Sequence, residues 1–592
     1  MNSAALGADV FDAIGPSRGV EFPARRLRSA RVVWINERWY LEHGINVLKP
    51  AVRKQVEESL LDKFAVTVPT KFDPPDIFSN ASVTLLADRY GGIIGTKHGG
   101  SGRCGSLDGM IAKGVGRTPL VNSLTTDWYH SHGCMWLEEA IREAIFSEVV
   151  ATEFPHSAAP AIAVIDSGIP IYWDKSGNTG ERRGVLIRPA MFRFAHLERS
   201  IYFGVGGSEQ SEQYQDVLRC KGAAAAVLRR CGPNGETGSA LLAAGLLAVA
   251  TQIGFGWAHR IFSGGLYSSN VVSSGAFVDF GGFRSVPSWK KFRPSRGALR
   301  FGEELGALNH ISKSVQSSLK RYGECELKLD QFSETGSIYA YSAFDEANCA
   351  AFGIDRNIHA DMANKLSGLF RSIFYEQQYA HSGADDGVLG EDSGDNQAAW
   401  PFSKSPLEVK ACKVHQQLVQ ILRETTANDS EYARAIHNAK GGGGRWAYAR
   451  RSLGRETLSG SIQAALNSSD PNSPAFPSIV SRLIEGSIVA GRRTFDFIPA
   501  SFIIIGTVAL TYCSAIYGYD LSSQCSGVWV NGTVTVDGVA VFGQVLSVDF
   551  PSTYYGDCSS HAHLTGLCLR VGRELLQIPP ALPGTGIPPL SL

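Results

Sequence analysis

The 592-residue sequence lacks a net charge, a close pair of cysteines and a secretory signal. Lysine plus arginine and aspartate plus glutamate both number 56, so we expect no nucleic-acid partner, although a local basic pocket is not excluded. The eleven cysteines form no CxxC pair, which is typical of free thiols in a reducing compartment. The first fifteen residues contain no basic region followed by an apolar run, and we expect a cytoplasmic protein.

Three common catalytic patterns are absent as well. There is no GxxxxGK[ST] motif, which excludes a P-loop as an ATP site. The GxSxG motif of serine hydrolases and the HExxH motif of zinc proteases are also missing. Any nucleotide chemistry must therefore use a different set of residues.

One uncharged run leaves two interpretations open. Residues 497–519 are long enough to span a bilayer as a helix. The run also contains Pro499, two glycines and many β-branched and hydroxyl residues, a composition that fits two buried strands. We favour the strands and expect no membrane partner.

Apolar periodicity predicts the main elements. Leu137, Ile141, Ile145 and Val149 recur every four residues, which predicts an amphipathic helix. Residues 161–166 and 184–194 have the character of strands, and residues 239–259 that of a buried helix. Residues 528–550 alternate apolar and polar side chains around Asn-Gly and Asp-Gly turns, which predicts a β-meander.

Several residues occur in the order that ATP chemistry requires. Phosphates need glycine-rich backbone, a lysine fixed by a glutamate, and oxygen ligands for Mg²⁺. The sequence offers a turn "GGSGRCG", a strand "MIAKG", a helix with "AIREAI" and a later Asp-Phe-Gly. No part is specific alone, but the ordered set makes a joint prediction. Its members are Gly100, Gly102, Arg103, Lys113, Glu143, Asn270 and Asp279.

Four segments resemble the core of the selenoprotein O family. They are "IAKGVGRTPLV", "AIREAIFSEVV", "VLIRPAMFRFAHLE" and "NVVSSGAFVDFGGF", within residues 85–290. Members of that family have a kinase-like fold, bind ATP in a flipped orientation and transfer AMP to hydroxyl side chains. The resemblance therefore implies an ATP- and Mg²⁺-dependent nucleotidyltransferase that acts on a protein or peptide.

The resemblance also assigns roles residue by residue. Lys113 would contact phosphate, Glu143 would pair with it, and Asp279 would complete the catalytic set. Asn270 and Asp279, nine residues apart, would bind Mg²⁺. The remaining nucleotide contacts would come from Gly100, Gly102, Arg103, Gly133, Arg188 and Arg193.

The sequence departs from the family pattern at informative places. Arg188 and Arg193 are five residues apart, whereas the family spaces them seven apart. His132 replaces an aspartate before Gly133, and no carboxy-terminal cysteine or selenocysteine motif can be matched. Ser269 stands where the family has its presumed base, and losing a general base costs about 10²–10⁴-fold in rate for a neutral hydroxyl.

Because Ser269 is not a general base, alternatives to AMP transfer onto a hydroxyl group stay open. An acceptor that is already a carboxylate needs no base. The product would then be an acyl-adenylate that a partner enzyme consumes, as in microcin-type peptide maturation. A conventional phosphotransferase, a pseudokinase that binds ATP or a partner, and coincidental motifs also stay open.

The predicted architecture is α+β, a kinase-like two-lobed fold with a β-rich C-terminal region. We expect an N-terminal extension over residues 1–80 and a small lobe over 81–200. A helical large lobe follows over 201–465, and the β-rich region covers 479–592. Residues 467–478 have the composition of a linker.

Overall fold

The computed structural model shows a mixed α and β protein with a large antiparallel sheet. It describes residues 7–92, 97–122, 131–174, 177–203, 210–286, 293–294, 298–326, 331–351, 360–379, 417, 420–424 and 453–491, together with backbone strands between 502 and 578.

Eight strands form the main sheet, in the order β2-β7-β8-β6-β5-β4-β1-β3 with antiparallel pairing throughout. The strands are β1 Gly19–Leu27, β2 Arg31–Ile35, β3 Val66–Thr67, β4 Phe78–Asp88, β5 Cys104–Leu107, β6 Met110–Lys113, β7 Ala163–Asp174 and β8 Gly177–Pro189. Because β1 to β3 belong to this sheet, it crosses the boundary that the sequence suggested at residue 80.

The helices lie before, between and after these strands in the chain. They are α1 Ala8–Ala13, α2 Glu37–Glu42, α3 Pro50–Phe64, α4 Leu137–Glu153, α5 Gln210–Leu228, α6 Gly238–His259, α7 Glu304–Tyr322, α8 Phe332–Ala351, α9 Ala360–Tyr379, α10 Arg455–Asn467 and α11 Phe476–Gly491. The amphipathic helix and the buried helix predicted from periodicity are confirmed as α4 and α6. The boundary suggested at residue 479 falls inside α11.

Both faces of the sheet are buried, in different apolar clusters. Val164 and Leu186 pack with α4, while the alternate positions Ile165 and Val185 pack with α2 and α3. This period of two is what a strand requires when both of its faces are covered. The sequence therefore fixes which side chains of β6 to β8 meet α4.

A tight loop follows α6 and leads to the candidate site. Strand β9 (Ile261–Phe262) pairs with β10 (Arg284–Ser285), and a bridge joins Val271 to Phe277 between them. The amide of Val278 donates to the carbonyl of Asn270 at 3.0 Å. Asn270 and Asp279 are consequently held at the same end of a small hairpin.

The C-terminal region contains further strands. Strands β11 Phe502–Ala509, β12 Ser514–Asp520, β13 Cys525–Val530 and β16 Leu546–Ser547 form one sheet, and β14 Thr533–Val536 and β15 Val539–Phe542 form a hairpin. Strands β17 Leu567–Val571 and β18 Glu574–Ile578 pair with each other. The described part of the uncharged run 497–519 is thus antiparallel strand.

One described helix has the length and hydropathy of a membrane span. It is α6, and 56% of its most apolar window is buried inside the protein.

Candidate functional site

Lys113 lies at the end of β6 and points toward α4. It pairs in register with Leu186 of β8, and paired residues of antiparallel strands share a face. Leu186 packs in the same cluster as α4, so the lysine side chain is directed into that interface. It is almost fully buried, and a buried ammonium requires charged partners.

Glu143 of α4 supplies the first of these partners. Its Oε1 accepts from Lys113 Nζ in a short ion pair, and the carboxylate is fully buried. Glu139 lies one turn earlier and accepts two hydrogen bonds from Arg103, at 2.7 and 3.2 Å. The two glutamates share a helix face because they are four residues apart.

Asp279 completes the cluster from the loop after α6. Lys113 Nζ donates to its Oδ1 at 2.8 Å. Its backbone adopts the left-handed region, with φ of 66° and ψ of 81°, which is costly for a residue other than glycine. About 34% of its side chain is exposed, so this carboxylate faces both the buried lysine and the open side of the site.

The pKa values of the three carboxyl groups are shifted in different directions. Burial is the largest influence and favours protonation, but at Asp279 the nearby cations outweigh it and hold the pKa well below its usual range. Arg103 and Lys113 lower the pKa of Glu139 in the same way. At Glu143 burial dominates and raises the pKa. Asp279 and Glu139 are therefore ionised at neutral pH.

Arg188 is a buried cation that forms no ion pair with the residues described by the structure. It pairs with Ile111 in register and so lies on the same face as Lys113, two positions along. Its side chain is buried, and within the described part of the chain its Nε has no hydrogen-bond partner. Its charge acts on both Glu143 and Asp279, which places it beside the cluster.

Arg193 is held by backbone and aromatic contacts. Its Nη1 donates to the carbonyl of Ser269 at 2.9 Å, and its guanidinium lies 5.2 Å from the ring centroid of Tyr90. Its backbone N–H donates to His196 Nδ1 at 2.8 Å, and His196 Nε2 donates to Asp88 at 3.0 Å. The structure thus brings Arg193 next to the Asn270 loop despite its altered spacing from Arg188.

Asn270 and Ser269 interact directly. The hydroxyl of Ser269 donates to Asn270 Oδ1 at 3.2 Å, and Asn270 Nδ2 donates to the carbonyl of Gly265 at 3.2 Å. The hairpin register places Ser269 opposite Asp279. The position at which the sequence pattern led us to expect a carboxyl group is therefore occupied by a serine on the same hairpin as Asp279.

The predicted glycines lie on the loops around β5 and β6. Gly100 forms a bridge with Arg89, and the carbonyl of Gly102 accepts from Thr118. Gly133 has a φ of 76°, and a Cβ there would lie 2.2 Å from the amide nitrogen of Arg117. Gly133 is therefore required by close packing of the loop before α4. No described contact joins these glycines to Lys113 or Asp279.

The sequence patterns did not identify three further residues at the site, Glu139, Arg142 and Arg455. Glu139 carried a detectable signal, because it lies four residues before Glu143. Arg142 and Arg455 both donate to the carbonyl of Gly281. Their contacts span 139 and 174 residues of sequence and leave no local pattern.

The described residues contain no group of three or more histidine, cysteine, aspartate or glutamate side chains suited to hold a metal by themselves. A cavity of about 530 Å³ lies elsewhere, between the N-terminal segment and the β4 and β5 strands. Phe11, Arg18, Leu85 and Asp108 line it, and none of the predicted site residues does. This cavity therefore does not coincide with the charged cluster.

No family model matches this chain, and no curated protein matches it with significance.

Proposed function

We propose that this protein is an ATP- and Mg²⁺-dependent nucleotidyltransferase that transfers AMP to a protein or peptide acceptor. The observation that carries the proposal is the position of Lys113 between Glu143 and Asp279. A strand lysine, a helix glutamate and the aspartate of Asp-Phe-Gly have this relation in kinase-like enzymes. The proposal includes a kinase-like two-lobed arrangement of the sheet with α4 and the helices from α5 onward.

The charge balance of the cluster supports an anionic ligand. Four cationic side chains surround three carboxyl groups, and one of those carboxyl groups, Glu143, has its pKa raised. The cations are Arg103, Lys113, Arg188 and Arg193. Burying an arginine without an ion pair is costly, and a triphosphate supplies the oxygens that guanidinium groups bind most strongly. Arg188 is thus the best candidate for a phosphate contact.

Asn270 and Asp279 fit the requirements of a Mg²⁺ ion bound together with ATP. Magnesium takes oxygen ligands, retains several waters and needs only one or two protein groups when phosphates complete its shell. Asp279 is ionised and partly exposed, and Asn270 Oδ1 lies on the same end of the hairpin. When bound, the ion would neutralise phosphate charge during transfer.

The transfer itself leaves pyrophosphate. An acceptor oxygen attacks the α-phosphorus, the bond to the bridging oxygen of the β-phosphate breaks, and an acceptor hydroxyl group loses its proton. Ser269 cannot take that proton at neutral pH. This favours the second candidate, a carboxylate acceptor that forms an acyl-adenylate, because an anion has no proton to lose. The same observation favours a catalytically impaired ATP-binding protein.

Labelled nucleotides separate the candidates. The full chain is incubated with Mg²⁺ and ATP labelled at the α- or γ-phosphate, with Asp279→Ala as the control. AMP transfer labels an acceptor only from α-labelled ATP, whereas phosphotransfer labels it only from γ-labelled ATP. A pseudokinase gives neither label although Mg-ATP still shifts its melting temperature. If Mg-ATP neither labels nor stabilises the wild-type protein, the nucleotide proposal fails.

The carboxylate candidate has its own test. A peptide acceptor with a free C-terminal carboxylate is compared with the same peptide carrying a C-terminal amide. Pyrophosphate release that depends on the free carboxylate supports the acyl-adenylate. Equal release with both peptides contradicts it.

A further inference from the structure

The carbonyl oxygen of Gly281 accepts hydrogen bonds from two arginines on different elements. Arg142 Nη1 of α4 donates at 2.6 Å. Arg455 Nη1, from the first residue of α10, donates to the same oxygen. A carbonyl has two lone pairs, and here both are used by charged donors, which form stronger hydrogen bonds than neutral groups do.

Glu138 also links Arg142 to helix α10. Arg142 Nε donates to Glu138 Oε1 at 3.0 Å, and the hydroxyl of Ser459 donates to the same oxygen at 2.7 Å. Arg455 and Ser459 are one turn apart on α10 and reach the same side of α4. The first turns of α4 and α10 are therefore joined to each other and to the Asp279 loop.

Helices α10 and α11 are firmly seated. Leu458 and Ile462 of α10 and Ile484 of α11 are buried in the main core. Trp34 of β2 donates to Glu485 Oε1 at 2.6 Å. The arginine at the start of α10 thus extends from a fixed support rather than from a loose chain end.

The clamped carbonyl belongs to a residue that lies against the charged cluster. A Cβ on Gly281 would lie 3.2 Å from Glu143 Oε1 and 3.5 Å from both Asp279 Oδ1 and Glu139 Oε1. Asp279, two residues earlier, has a left-handed backbone, which costs free energy even though aspartate tolerates it better than most residues do. External contacts must hold this turn in place.

We infer that Arg142 and Arg455 are positioning residues that fix the Asp279–Gly282 turn, so that α10 and α11 are part of the nucleotide site. Neither arginine needs to contact the nucleotide. Their contribution is to keep the carboxylate of Asp279 beside Lys113 and directed to the open side. We call the two hydrogen bonds from Arg142 and Arg455 to the carbonyl of Gly281 the clamp. Its role in nucleotide binding rests on the proposed function, whereas its existence does not.

The first experiment needs no ligand. Amide hydrogen exchange is measured on residues 278–286 of the full-length wild type, Arg455→Ala and Arg482→Ala. The Phe283 amide is bonded to the carbonyl of Phe280 at 3.1 Å and reports on the turn. Arg482 lies on α11 and donates to a carbonyl of its own helix, so it is the matched control. We expect exchange to quicken about tenfold or more in Arg455→Ala and to stay unchanged in Arg482→Ala.

The second experiment measures the Mg²⁺ concentration that gives half of the thermal stabilisation by saturating ATP. We expect Arg455→Ala to need about tenfold more Mg²⁺, Arg455→Lys to recover part of the loss, and Arg482→Ala to match the wild type. Arg455→Lys also serves if the alanine variant fails to fold.

Each outcome has a distinct meaning. Unchanged exchange in Arg455→Ala overturns the clamp. Faster exchange with an unchanged Mg²⁺ requirement overturns the positioning role and leaves only a structural contact. If the wild type shows no stabilisation by Mg-ATP, the proposed function fails, and the exchange experiment alone decides whether the clamp exists.

Discussion

Replacing Arg188 with methionine should weaken nucleotide binding without destabilising the fold. The side chain is buried in β8, and no described residue forms a hydrogen bond with its Nε. Methionine occupies much of the same volume and adapts to irregular space. Arg188 forms no ion pair with the described residues, so removing it takes away its desolvation cost and only a longer-range attraction to Glu143 and Asp279. We expect the free energy of unfolding to stay within about 1 kcal/mol of the wild type or to rise.

The expected loss of affinity follows from the bond that Arg188 is proposed to make. A hydrogen bond from a guanidinium to a phosphate contributes about 1.5–3 kcal/mol. The dissociation constant for Mg-ATP should therefore rise roughly ten- to 150-fold. Stability and affinity should thus move independently.

Arg183 offers a matched control on the same strand. It is equally buried but faces the other side of the sheet and forms an ion pair with the fully buried Asp73. Arg183→Met leaves that carboxylate without its partner, which should lower the free energy of unfolding by about 3–5 kcal/mol. We expect a large loss of stability in this variant with little change in the affinity of the folded protein.

Thermal unfolding without ligand and calorimetric titration with Mg²⁺ and a non-hydrolysable ATP analogue measure the two effects. The reasoning is refuted if Arg188→Met is destabilised as much as Arg183→Met. It is also refuted if Arg188→Met binds the analogue as tightly as the wild type.

Three further predictions concern the site, a buried acid and a loop. Ser269→Asp restores a carboxyl group beside Asn270, and AMP transfer to a hydroxyl acceptor should rise by about 10²–10⁴-fold; an unchanged rate would show that no base is missing. Burial raises the pKa of Glu304 to about 7, although Trp257 donates to it. The pKa of Glu304 in the folded state exceeds its unfolded value, so the free energy of unfolding is greatest below about pH 4.5. It falls by up to about 3 kcal/mol as the pH rises to about 7 and is then constant. Glu304→Gln should lose this part of the pH dependence of unfolding, and a parallel profile in the two proteins would contradict the assignment. Gly133→Ala should lower the free energy of unfolding by more than about 1 kcal/mol, because the left-handed backbone and the close approach to Arg117 leave no room for a methyl group. Thermal unfolding measures this loss, and an unchanged melting temperature would refute it.

Local signals in the sequence predicted helices α4 and α6 and the central charged trio. Leu137, Ile141 and Ile145 repeat every four residues, and all are buried in α4. Lys113, Glu143 and Asp279 could be connected because each lies in a short motif. The structure brings their side chains together, as the ordered motifs predicted.

The sequence could not predict contacts made by distant segments. Strands β1 to β3 join the main sheet through pairing with β4 and β7, and such pairing leaves no local pattern. The same reason hid the docking of α10 and α11, where the composition suggested a linker. Residues 497–501 and 510–513 of the uncharged run lie outside the described residues.

The clamp on Gly281 also has a consequence for biosynthesis. Its second donor is made 174 residues after the carbonyl that it holds. At about 5–20 residues per second, a ribosome needs roughly 9–35 seconds to cover that distance. During this interval the nascent chain already carries the lysine, both glutamates and the aspartate but not the arginine that fastens their loop. A newly made molecule would therefore acquire the finished geometry of the charged cluster only after Arg455 has been made.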